Sequence, residues 1–169
     1  MKNKYLALFI IPFLSACNTY RGVMYELKYD ENASLKEVNP IDMYNSAVNK
    51  VDSVYLIGGL KDCSSCLKAK EETEAFISKK HVNIYYIDIN NVTFSSDPEN
   101  LKDTDYEYLY QATVYANDGE EDYNSLPKPE AAKKELALPV FLFFKYGAVG
   151  TKVTTDYSSS LNRFIKVIK

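Results

Sequence analysis

Apolar and polar positions along this 169-residue chain change period several times, and the changes mark out its elements. Val23 to Tyr29 alternates as a first strand. Asn39-Pro40 opens a helix, with Asn as the cap and Pro at the first helical position. Ile41, Tyr44, Ala47, Val48 and Val51 then recur at helical spacing. Ser53 to Ile57 is a short apolar run that predicts a buried strand, closed by Gly58-Gly59. Leu67 to Lys80 is amphipathic, with Leu67, the stem of Lys70, Thr73, Phe76 and Ile77 on one face. Val82 to Ile89 is a second buried strand and Val140 to Lys145 a third. Tyr146-Gly147 makes a turn, and Ala148 to Thr154 returns as the hairpin partner. Ser158 or Ser159 caps a last helix bearing Leu161, Phe164, Ile165 and Ile168. The order is β-α-β-α-β, an intervening segment, then β-β-α. Strands separated by helices imply a parallel core, and the hairpin adds an antiparallel edge. The class is therefore α/β, with a central mixed sheet flanked by helices.

The intervening segment, about residues 90–137, has a different texture. It holds the turn-rich Ser95-Ser96-Asp97-Pro98, a tyrosine-rich stretch from Asp105 to Tyr115, and the acidic loop Asp118 to Asp122. Tyr106, Leu109, Tyr110 and Thr113 fit one helix face, and Pro129 to Leu136 fits a second short helix. The simpler reading of the tyrosine face is packing against the domain; the alternative is a docking surface for a protein substrate. The acidic loop reads as solvated and lacks the ligand spacing of a calcium loop.

The N-terminus has the layout of an export signal: Lys2 and Lys4, an apolar run from Tyr5 to Leu14, then Ser15-Ala16-Cys17. The run is shorter than the ~20 residues a membrane-spanning helix needs. Leu14-Ser15-Ala16-Cys17 resembles the lipobox of bacterial lipoproteins. That resemblance implies that residues 1–16 are a signal peptide and that Cys17 is the lipidation site. Residues 17–22 would then be a tether, residues 23–169 the domain, and the location extracytoplasmic, at the cell membrane. Acyl chains contribute ~0.8 kcal/mol per buried methylene, so several together hold a protein stably. The formal charge of −3 becomes more negative once Lys2 and Lys4 are lost, which disfavours nucleic acid as a partner. A monomer is expected.

With Cys17 acylated, two of the three cysteines remain, Cys63 and Cys66, separated by two serines. A structural disulfide is most useful when it closes a long loop, and this loop is minimal. Tetrahedral zinc needs four ligands; the chain offers this one pair and a single histidine, His81, at the far end of the helix. No metal and no cofactor are expected. A strand, then Gly58-Gly59-Leu60-Lys61-Asp62, then a cysteine pair opening a helix puts Cys63 near a helix N-terminus, where backbone N–H groups and the helix dipole favour a thiolate. Cys66 lies one turn on, less accessible. That arrangement suits Cys63 as nucleophile and Cys66 as resolving thiol.

Here the chain resembles the thioredoxin superfamily, from about Val23 to Ile168 with the intervening segment set aside. The second anchor is Leu138-Pro139-Val140-Phe141-Leu142-Phe143-Phe144-Lys145-Tyr146-Gly147, which resembles the family's cis-proline segment. The resemblance implies a thioredoxin-like fold with an insert before the cis-proline strand. It implies a cis Leu138-Pro139 bond lying against the cysteine pair, and substrate-binding roles for Leu138 and Pro139. Disulfide oxidases of the superfamily carry a helical insertion at the same place. The strand–CxxC–helix block also resembles small thioredoxin-like proteins of Gram-positive bacteria, including bacteriocin transport accessory proteins. Three departures stand out. The chain has no Trp, the residues between the cysteines are Ser-Ser, and the family's buried acid aligns with Ile57. Asp62 raises the Cys63 thiol pKa while Lys61 and the helix dipole oppose it.

The expected function is a lipid-anchored thiol–disulfide oxidoreductase acting on protein thiols or disulfides, reset by a redox partner. The alternative is an accessory or binding lipoprotein, bacteriocin- or export-associated, with a dormant cysteine pair.

Overall fold

The computed structural model describes residues 26–59, 61–94, 104–116, 125–145, 148–149 and 161–162. The export signal, Cys17, the acidic loop at Asp118–Asp122, the Tyr146-Gly147 turn and most of the last helix lie outside the described residues.

Five strands form one sheet. They are β1 (Leu35–Glu37), β2 (Ser53–Gly58), β3 (Ile84–Asp88), β4 (Val140–Lys145) and β5 (Ala148–Val149), in the order β1-β3-β2-β4-β5. β1, β3 and β2 run parallel; β4 runs antiparallel to β2, and β5 antiparallel to β4. The mixed sheet is as expected, with the antiparallel part beginning at β4.

Helix α1 (Pro40–Val48) starts as the sequence predicts, with Pro40 first and Asn39 before it. The Asn39 N–H donates to the Asp42 carboxylate at 3.1 Å, which satisfies a donor the helix start would otherwise leave open. Helix α2 (Ser64–Lys80) ends at His81, whose φ of 53° is left-handed and whose N–H donates to the Ile77 carbonyl at 2.7 Å. His81 is thus the helix-end residue expected. Helix α3 (Asp105–Ala116) and the short α4 (Ala132–Glu135) complete the set, and Leu161 is helical and fully buried.

The first strand differs from expectation. Within 26–29, only Tyr29 makes a bridge, antiparallel to Val82, and the edge strand lies later, at Leu35–Glu37. A turn intervenes: the Asn32 N–H donates to the Asp30 carboxylate at 2.9 Å, and the Ala33 N–H to the Asp30 carbonyl at 2.9 Å. The Asp30 side chain stops the early run, so Leu27 is buried without belonging to a strand.

Side chains alternate across the sheet. Tyr55, Ile57, Tyr85, Ile87, Val140, Leu142 and Phe144 face one cluster, shared with Met43 and Ala47 of α1 and Tyr106, Leu109 and Tyr110 of α3. Val54, Leu56, Ile84, Tyr86, Phe141 and Phe143 face the other, shared with Ala69, Phe76 and Ile77 of α2. Tyr106 is fully buried and its O–H donates to the Pro127 carbonyl at 3.0 Å. The tyrosine face of the intervening segment is therefore a packing face, built into the helical layer beside α1.

Candidate redox site

Two glycines and a left-handed residue carry the chain from β2 into α2. A Cβ placed on Gly58 would stand 3.4 Å from the Cys66 Cβ and 3.4 Å from Cε2 of Tyr86, so the bare backbone lets three elements meet closely. Asp62 has a φ of 59°, a conformation that short polar side chains tolerate better than others. The turn at Asp62 aims Cys63 at the start of the helix.

Cys63 is itself the N-cap of α2, and it is joined to Cys66 by a disulfide with a Cα–Cα distance of 5.2 Å. The Cys66 N–H, in the first turn, is shared between the Cys63 carbonyl at 3.1 Å and the Cys63 sulfur at 3.2 Å. The Ser65 hydroxyl lies 3.4 Å from the same sulfur. A thiolate on Cys63 would keep both groups as donors and would sit at the positive end of the helix. The two sulfurs differ in access: Cys66 is buried (1% exposed) and Cys63 is partly exposed. Asp62 and Lys61 are both exposed, so their opposing charges act through solvent and are screened.

Leu138-Pro139 is cis, as the resemblance implies. The strand register places it: Ile57 pairs with Val140, so Pro139 falls opposite Gly58, the last residue of β2, which leads into the cysteine loop. Pro139 is buried, and Leu138 is half-buried against the α1–α3 cluster. The cysteine pair and the cis-proline bond thus share one end of the sheet. Ile57, where the family's acid would align, is fully buried among apolar neighbours.

Sequence reasoning missed Tyr86. Its ring is buried (3% exposed) on the α2 face, and its hydroxyl lies 3.5 Å from the point where a Gly58 Cβ would be. Strand parity alone puts Tyr86 on the same face as Ile84, but its closeness to Cys66 depends on the register of β3 against β2, with Leu56 opposite Tyr86. Burial, then the Asp88 and Glu37 carboxylates, push the phenol up to about 12.

No protein-family model matches the chain, and no curated protein matches its sequence. Among solved structures, it is similar to thioredoxin O1 of Arabidopsis thaliana in the oxidized state, at 14% identity and a TM-score of 0.46, over 79% of this chain and 96% of that one. Thioredoxin O2 of the same plant is similar at 14% identity and a TM-score of 0.45, over 82% and 97%. Spinach chloroplast thioredoxin F, short form, is similar at 14% identity and a TM-score of 0.44, over 84% and 100%. It is the chain's own strand order, with a CxxC disulfide opening α2 and a cis-proline bond leading into β4, that makes this a thioredoxin-like α/β fold.

Proposed function

We propose that this chain is a thiol–disulfide oxidoreductase of the bacterial envelope, held at the membrane by a lipid on Cys17, with Cys63 as nucleophile and Cys66 as resolving thiol. One observation carries the redox reading: a partly exposed Cys63 sulfur faces the first-turn N–H of Cys66, while the Cys66 sulfur is buried behind it. The lipobox-like Leu14-Ser15-Ala16-Cys17 supports the anchor.

In the reducing direction, the Cys63 thiolate attacks one sulfur of a substrate disulfide. That S–S bond breaks, one substrate thiolate leaves, and a mixed disulfide forms at Cys63. The Cys66 thiolate then attacks the Cys63 sulfur, closing the internal disulfide and releasing the second substrate thiolate. Two electrons pass to the substrate, and a partner dithiol returns the pair to the reduced state. Oxidation of a substrate dithiol runs the same steps backwards, with a disulfide partner. Leu138, ahead of the buried Pro139, would offer backbone groups to an extended substrate segment at the same end of the sheet.

Turnover of insulin or a model disulfide by wild type and Cys63→Ser tests the assignment. Loss of turnover to the uncatalysed background is expected. Equal rates overturn the redox reading and favour an accessory lipoprotein, whose role would survive the double Cys63→Ser/Cys66→Ser change.

A further inference from the structure

Among the described residues, the Tyr86 hydroxyl is a buried polar atom with no hydrogen-bond partner, an arrangement shared only by the Asn45 amide nitrogen. An unpaired buried hydroxyl costs stability, so its position calls for a reason. The hydroxyl and the Cys66 Cβ both lie within 3.5 Å of one point, the site of the missing Gly58 Cβ. The acid that would serve the resolving thiol in the resembling family is replaced by Ile57, which has no proton to give.

We propose that the Tyr86 hydroxyl is the hydrogen-bond donor that receives the Cys66 sulfur as a thiolate when the Cys63–Cys66 bond opens. The proposal rests on the redox reading above and names a further residue for it. When an incoming thiolate attacks the Cys63 sulfur, a new S–S bond forms there and the Cys63–Cys66 bond breaks. The electron pair leaves on the Cys66 sulfur, whose Cβ lies across the bare Gly58 from an O–H with its donor unused in the disulfide form. The phenol keeps its proton, because about 12 lies well above the ordinary thiol value of ~8.5. Tyr86 therefore stabilises the charge without taking or giving up the proton, unlike a carboxylate base. Three charged groups face it: Lys70 of α2, with its ammonium 5.7 Å from the ring centroid, Asp88 at the end of β3, and Glu37 at the end of β1. Lys70 favours a thiolate nearby, and burial, then the two carboxylates, hold the phenol protonated.

The test is the titration of Cys66 in the full chain with Cys17→Ser and Cys63→Ser, where it is the sole thiol, read from the Cβ chemical shift of isotopically labelled Cys66. Adding Tyr86→Phe is expected to raise the Cys66 pKa by about one to two pH units. A ring-fluorinated tyrosine at position 86, a stronger donor of the same shape, is expected to lower it, and this arm stands even where Tyr86→Phe folds poorly. A Cys66 pKa that ignores both changes overturns the proposal. The titration needs no turnover, so its failure is distinct from failure of the redox reading, which the Cys63→Ser rate assay decides.

Discussion

The two faces of the sheet carry comparable apolar cores but treat their tyrosine hydroxyls differently. On the α1–α3 face three buried tyrosines have hydroxyl partners. Tyr55 donates to the Ser46 hydroxyl at 2.8 Å, Tyr106 to the Pro127 carbonyl at 3.0 Å, and Tyr85 to the Glu26 carbonyl at 3.0 Å. On the α2 face, Tyr86, the very next residue after Tyr85, has none. The first set of hydroxyls fixes helices and loops to the sheet. The second lies across the bare Gly58 from the Cys66 Cβ, and leaving it unpaired costs stability. Neighbouring positions on one strand thus separate a structural use of tyrosine from one the chemistry can use.

The largest expected effect tests whether the two cores are equivalent apart from these hydroxyls. Phe144 and Phe141 are both fully buried on β4, facing the α1–α3 and α2 clusters respectively. Phe144 packs edge-on to Tyr55, with centroids 5.7 Å apart, and Phe141 stacks near Phe143 at 6.1 Å. Each change to Ala should cost about 3–5 kcal/mol in denaturant unfolding of the oxidised protein. A much smaller loss for Phe141→Ala would mean that the α2 face is loosely packed, and Tyr86 would then need no special explanation.

Smaller effects separate the hydroxyls themselves. Tyr55→Phe and Tyr106→Phe each remove a satisfied hydrogen bond and should each cost about 1 kcal/mol. Tyr86→Phe removes an unsatisfied group and should leave the unfolding midpoint of the oxidised form unchanged or slightly raised. Equal losses for all three would dissolve the contrast between the faces.

Much of this was legible from side-chain pattern. β4 matches its expected span from Val140 to Lys145 because it is buried on both faces and reads as an unbroken apolar run. The start of α1 was legible because Asn39-Pro40 is a local signal. β1 was not, because Leu35-Lys36-Glu37 is an edge strand of three residues. Its strand character comes from pairing with Ile84, Tyr85 and Tyr86, a partner distant in sequence. The intervening segment read as an addition, yet α3 lies in the layer beside α1, because an apolar helix face does not announce which surface it will cover. The cysteine pair was readable from spacing, and its capping geometry was not. The backbone turn at Asp62 makes Cys63 the N-cap itself. Tyr86 needed both the strand register and the missing Gly58 side chain, neither of which leaves a local mark.

The smallest effect belongs to Asp42, among the described residues the one buried carboxylate, at the start of α1. Asp42 accepts from the Asn39 N–H and is 8% exposed. Burial raises its pKa above the ordinary 3.8, and this outweighs the opposing pull of the Asn39 hydrogen bond and the Lys36 charge. A carboxyl whose folded pKa is raised holds its proton more tightly when folded. Its contribution to stability is therefore whole below about pH 3.8 and is lost as pH rises through the raised folded value. Asp42→Asn keeps an oxygen to accept from the Asn39 N–H and removes the titration. Thermal unfolding followed from acid to neutral pH should give a flatter profile for the variant, with the difference confined to the carboxylate range. An unchanged slope would show that Asp42 contributes no loss of stability as pH rises through the carboxylate range, and a large loss at neutral pH would show that the charge at the start of α1, beyond the hydrogen bond, holds that helix in place.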